Sequence, residues 1–229
     1  MSTRQVLVMV AIATAVVAAL LAISLSRDEA DAEGTAATLV GVGAVREELA
    51  GVAQRGNALG SPDAPVQIVE YGDLACPACK AAADTTVPDV IAEFVRAGDA
   101  TLEFRPIAFI GPSSERGALA AEAAAEQDAM WPLIGLLYRS QGDERTDWLT
   151  DDLLEQAVTA LSLDVAAWRR DYRSPAIRQQ VAERAAAAEA DEVRATPTFI
   201  IRGPRGLKVV KGVADVAEFR NAIKEVGPS

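Results

Sequence analysis

The only two cysteines of the chain, Cys76 and Cys79, stand three positions apart where a strand-type run gives way to a helical one. Val66-Gln67-Ile68-Val69-Glu70-Tyr71 alternates and carries β-branched residues, which predicts a strand. Gly72-Asp73-Leu74-Ala75 is a short loop, and Pro77 suits the first turn of a helix. The first cysteine is thereby expected at a helix N-terminus, where free N–H groups and the macrodipole favour an anion. Such a thiol has its pKa drawn down into roughly the 3.5–7.5 range. Its thiolate can attack a disulfide, and a second cysteine close behind can resolve the mixed disulfide. The other uses of such a pair fit less well. A zinc site needs further Cys or His ligands, and the chain has no histidine at all. A purely structural disulfide would close a tiny loop and restrain the unfolded chain little.

The missing histidine also removes Ser-His-Asp triads, Cys-His pairs and His-ligated metals. No metal and no cofactor is expected. The net charge of -11 argues against nucleic acid as a partner, because phosphate binding needs clustered Lys and Arg.

Val6 to Leu25 is an unbroken, mostly apolar run without a charge, long enough to span a bilayer as a helix. Arg4 precedes it, and Arg27, Asp28, Glu29, Asp31 and Glu33 follow. The expectation is a single-pass signal-anchor helix over 6–25, with residues 1–5 cytoplasmic, a linker over 26–38 and the rest of the chain outside the cytoplasm. The alternative is a cleaved signal peptide and a secreted product, although the apolar core of a signal peptide usually spans only ~7–15 residues. Both readings put the cysteine pair where it can stay oxidised.

Residues 39–50 predict a brief helix, and the Gly, Asn, Ser, Asp and Pro residues between Gly56 and Pro65 predict turns. A helix from Pro77 should be kinked or restarted at Pro88 and end at Gly98. Ala100 to Phe109 reads as the next strand. Gly111 to Val193 reads as helical throughout, with Thr150, Asp164 and Ser174-Pro175 as caps. The charges along Arg178 to Arg194 read as a solvated face. Thr198–Arg202 and Leu207–Val210 read as an antiparallel pair around Gly203-Pro204-Arg205-Gly206, and Asp215 starts a last helix striped by Val216, Phe219, Ile223 and Val226. The order is a βαβ unit and a ββα unit with helices inserted between them.

Two further features carry possible chemistry. Glu70 falls on an apolar strand, where a charge is costly. Either it faces solvent at an edge, or it is a buried carboxylate of raised pKa that relays protons to Cys79. Ala195-Thr196-Pro197-Thr198-Phe199 places a proline just before an apolar strand, which alone could be an ordinary turn. Trp131, Trp148, Trp168 and Tyr138 read as core residues.

The chain resembles the DsbA-like thioredoxin family in its single-domain, membrane-anchored form, over about Val42 to Val226. The resemblance rests on Gly56-Asn57-Ala58-Leu59-Gly60-Ser61-Pro62-Asp63-Ala64-Pro65-Val66, on Glu70-Tyr71-Gly72-Asp73-Leu74-Ala75-Cys76-Pro77-Ala78-Cys79, on Leu137-Tyr138-Arg139-Ser140-Gln141 and on Ala195-Thr196-Pro197-Thr198-Phe199, in that order. It implies an α/β thioredoxin-like fold (βαβ plus ββα) over 39–229, with a helical insertion at about 111–193, preceded by the transmembrane helix. It implies a redox-active Cys76–Cys79 disulfide, with Cys76 as nucleophile, Cys79 as resolving cysteine and Pro77 and Ala78 between them. Pro197 would be a cis-proline that, with Thr196, offers backbone to substrate, and Glu70 the buried acid. The best-known members carry histidine where Ala78 stands and valine where Thr196 stands. The implied activity is disulfide formation in exported, cysteine-containing client proteins, with reoxidation by a quinone-linked membrane partner and a monomeric enzyme. A reductase or isomerase of the same fold is the nearest alternative, and a redox-inactive peptide-binding or chaperone module the more distant one.

Overall fold

A computed structural model describes residues 38–229. The expected membrane helix over 6–25, the residues before it and all but the last residue of the linker lie outside the described residues. Among the described residues no helix is long and apolar enough to cross a membrane.

The chain opens with helix α1 (Val42–Leu49), followed by the short strands β1 (Gln54–Arg55) and β2 (Ala58–Leu59). Strand β3 (Val66–Gly72) leads into α2 (Pro77–Asp84) and α3 (Thr86–Val90), which a π-helical turn (Ile91–Val95) extends toward β4 (Ala100–Pro106). Five helices follow: α4 (Pro112–Ala125), α5 (Met130–Arg139), α6 (Asp151–Ala160), α7 (Val165–Tyr172) and α8 (Pro175–Ala190). Strands β5 (Thr198–Gly203) and β6 (Gly206–Lys211) and helix α9 (Val216–Val226) close the chain. The expected βαβ and ββα units are thus present, separated by helices.

The six strands lie in the order β1-β2-β4-β3-β5-β6. β3 runs parallel to β4 and antiparallel to β5, so it has neighbours on both sides. That explains its near-continuous apolar character, because a central strand is buried on both faces. Ile68, Leu102, Phe104, Phe199 and Ile201 belong to the main core, together with residues of α2, α5 and α9. Val69, Tyr71 and Ile200 point to the other face and meet Ala188 of α8 and Val193.

The structure departs from the sequence reading in four places. The turn-rich stretch before β3 holds the β1–β2 hairpin, which pairs with β4 and widens the sheet. Two-residue strands are too short to show a period, yet the Gly56-Asn57 loop between them is a hairpin signal, and Gly56 takes φ 56°. The strand expected to reach Phe109 ends at Pro106, and the backbone then leaves the sheet. The stretch from Gly111 to Val193 is interrupted by irregular chain between α5 and α6. Finally, the charges of α8 do not all face solvent. Arg184 turns inward to Glu122 on α4 at 2.7 Å, and Asp191 accepts hydrogen bonds from Tyr71 and Arg202.

The helix starts agree closely with the sequence. The side chains of Thr150, Asp164, Ser174 and Asp215 each accept a hydrogen bond from a backbone N–H of the first turn they precede. Trp131, Trp148, Trp168 and Tyr138 are all buried.

Candidate active site

Cys76 is the N-cap residue of α2, with Pro77 in the first turn. β3 delivers the chain to this point through Gly72, whose close approach to its neighbours requires a glycine: a Cβ there would lie 2.5 Å from the Phe104 ring. The loop is then held by hydrogen bonds. The Cys76 N–H donates to the Asp73 carbonyl at 3.0 Å. The Gln141 side-chain amide donates to the carbonyls of Leu74 and Cys76 at 2.8 and 3.2 Å. Lys80, one turn along α2, donates to the Tyr138 carbonyl at 2.9 Å. The start of α2 is therefore fastened to the end of α5.

Both cysteines are free thiols. Cys76 is 8 % exposed, so it is less open than a helix-capping position suggests, and Cys79 is fully enclosed. Their surroundings shift them in opposite directions. A hydrogen bond from the Cys79 thiol, another involving Thr196 and the N–H groups of Cys79 and Ala78 hold Cys76 down at about 5 against the opposing effect of burial. Burial pushes the Cys79 thiol up, and its hydrogen bond to Cys76 adds to this.

The Cys76 thiol lies 3.5 Å from the Thr196 carbonyl oxygen, which brings residues 120 positions apart together. The Thr196–Pro197 peptide bond is cis, and Pro197 is buried. Pro77 is exposed and Ala78 half-buried, so the surface of the motif consists of small, uncharged side chains.

Glu70 is 1 % exposed, which removes the solvent-facing reading. Opposite Phe104 on β4 and Phe199 on β5, it projects toward the main core. Burial pushes its carboxyl up to about 8. It lines a small cavity with Val45, Trp131, Ile134, Tyr138 and Arg139. Glu70 and Cys79 are not joined by a direct hydrogen bond. The Tyr138 hydroxyl pKa is raised first by burial and then by the charges of Cys79 and Glu70.

Sequence reasoning left Asp73 and Gln141 without roles of their own. Asp73 is fully buried beside the cysteines, and its carboxylate accepts three backbone N–H groups. Its position two residues before Ala75 and three before Cys76 carries the signal of a turn-forming Asp, but its bonds to residues 109 and 110 are invisible in sequence. Among the described residues no group of His, Cys, Asp and Glu is arranged to hold a metal.

A family model described as thioredoxin matches residues 53–225. The probable disulfide bond formation protein D of Bacillus anthracis is 34% identical over 149 residues, which cover 63% of this chain and 69% of that protein. Disulfide bond formation protein D of Bacillus subtilis is 29% identical over 170 residues, covering 73% of this chain and 75% of the relative. The crystal structure of oxidised BdbD from Bacillus subtilis superposes with a TM-score of 0.67 at 27% identity, over 76% of this chain and 95% of that one.

Proposed function

The chain belongs to the thioredoxin family, and from that premise and the site geometry we propose that it is a thiol–disulfide oxidoreductase that forms disulfide bonds in client proteins. The observation that carries this reading is the asymmetry of the two thiols. One is held near pKa 5 beside the Thr196 carbonyl, and the other is enclosed behind it.

The exchange runs as follows. A client thiol loses its proton, and the resulting thiolate attacks the Cys76 sulfur of the oxidised protein. The Cys76–Cys79 bond breaks, its electron pair goes to Cys79, and Cys79 takes up a proton. A second client thiolate then attacks the client sulfur of the mixed disulfide and expels Cys76 as a thiolate. The client has lost two electrons and gained a disulfide, and the protein has become the dithiol. The low pKa of Cys76 makes it a good leaving group in this last step. Thr196 and Pro197 supply the backbone against which an extended client segment pairs. Glu70 passes the Cys79 proton between the buried sulfur and solvent.

In the same proposal the apolar run 6–25 anchors the protein in the membrane with residues 1–5 inside. The domain from residue 39 onward then works outside the cytoplasm as a monomer, on exported proteins that contain cysteines. A quinone-linked membrane partner takes the electrons away. A purified, oxidised chain mixed with a reduced, unfolded client should form client disulfides, and Cys76→Ala should abolish this. Equal activity of Cys76→Ala would overturn the proposal. A C-terminal reporter active only in the cytoplasm would overturn the topology.

A further inference from the structure

Asp73 touches both cysteines, yet the exchange above gives it no part. Its backbone N–H points at the Cys79 sulfur at 3.4 Å. Its backbone carbonyl accepts the Cys76 N–H at 3.0 Å and the Tyr138 hydroxyl at 3.4 Å. One carboxylate oxygen accepts the Ala75 N–H at 2.8 Å. The other accepts the Phe109 and Ile110 N–H groups at 2.8 and 3.3 Å. Phe109 and Ile110 are large apolar residues left exposed, Phe109 at 54 %. A single enclosed side chain thus binds the catalytic turn on one oxygen and an apolar lip of the surface on the other.

We propose that Asp73 is the positioning residue for Cys79: its backbone N–H stabilises the thiolate that Cys79 becomes when the disulfide opens, and its carboxylate holds that N–H and the Phe109–Ile110 lip as one rigid unit. This rests on the exchange reading and deepens it. Cys79 leaves as a thiolate inside the protein, where water cannot solvate it, so a fixed donor matters more there than at the surface. The same N–H also acts against the upward pull of burial on the Cys79 pKa. The carboxylate suits its task because it is acceptor-only and faces three donors. An asparagine in its place offers one oxygen and turns an NH2 group toward at least one N–H.

The test measures two rates on the full chain. The first is the opening of the oxidised protein's disulfide by glutathione, followed by acid quench and mass spectrometry. The second is alkylation of Cys76 in the reduced protein, as a function of pH. Asp73→Asn should slow opening about tenfold, the value of one lost charge-assisted hydrogen bond, and leave the Cys76 alkylation profile unchanged. Asp73→Ala should slow opening further. If the alanine variant does not fold, the asparagine variant still decides. Opening at the wild-type rate in Asp73→Asn, or loss of both rates in the same proportion, overturns the inference and leaves the exchange reading intact. A wild-type disulfide that no thiol opens removes both.

Discussion

Cys76 and Cys79 carry the same side chain, sit on the same helix and titrate in opposite directions. The difference lies in what each sulfur meets. Cys76 receives N–H groups at the start of α2, whereas Cys79 lies beneath it among apolar neighbours. Alkylation of the reduced protein should therefore inflect near pH 5 and label Cys76, with Cys79 labelled only after denaturation; peptide mapping reads this directly, and equal labelling would contradict it. Glu70 makes the opposite case for burial. Its folded pKa of about 8 stands above the usual 4.5, so the folded protein keeps a proton that the unfolded chain releases. Stability is then greatest below the unfolded value and falls as pH rises through the folded one, by up to a few kcal/mol at full effect. Glu70→Gln should match wild type in urea unfolding at the acidic end, where both side chains are neutral. It should exceed wild type above pH 8 by a few kcal/mol, on the order set by that shift. It should also leave Cys76 reactive while slowing the steps in which Cys79 gains or loses its proton, most strongly near neutral pH. An unchanged rate in stopped-flow experiments across that range would reduce Glu70 to a structural acid.

At the scale of elements, the sequence exposes local rules and hides tertiary ones. Thr150, Asp164, Ser174 and Asp215 were readable as caps because capping is settled within four residues. The Cys-x-x-Cys helix was readable because strand, loop and Pro77 stand in sequence around it. The β1–β2 hairpin was hard to read because its pairing with β4 comes from residues more than forty positions away. Gln141 belongs to the same class. It lies just past the end of α5, in a stretch that the sequence reads as helical, and only the fold brings it to the carbonyls before α2. Gln141→Ala should cost about 1–3 kcal/mol, since it leaves the Leu74 and Cys76 carbonyls without their side-chain donor. The urea midpoint should fall while the denaturant slope stays the same. A changed slope would mean that more than this link had been lost.

Across the whole molecule, the inserted helices are tied to the sheet by charges as well as by apolar contact. Glu122 on α4 is 1 % exposed, and the Arg184 guanidinium on α8 donates to it at 2.7 Å. Arg184 also lies 3.8 Å from Glu103 on β4, and Glu103 pairs with Arg105 at 2.8 Å. Arg105 reaches the Tyr71 hydroxyl on β3, Tyr71 donates to Asp191 just past α8, and Arg202 on β5 donates to the other Asp191 oxygen. The chain of contacts joins α4, α8 and three adjacent strands, and it passes through Asp191, five residues before Thr196. The sequence could not show this, because a charge on a helix reads as solvated until its neighbours are known. Removing one partner of a buried ion pair costs far more than the pair contributes, since the other charge stays buried. Arg184→Met should therefore destabilise the protein by roughly 3–5 kcal/mol. Replacing both partners, as Glu122→Leu with Arg184→Met, should recover most of that loss, because an apolar pair of similar volume no longer strands a charge between α4 and α8. Urea unfolding of the wild type, both single variants and the double variant closes the cycle. A double variant as unstable as the sum of its singles would show that Arg184 holds the insertion through Glu103 and packing alone.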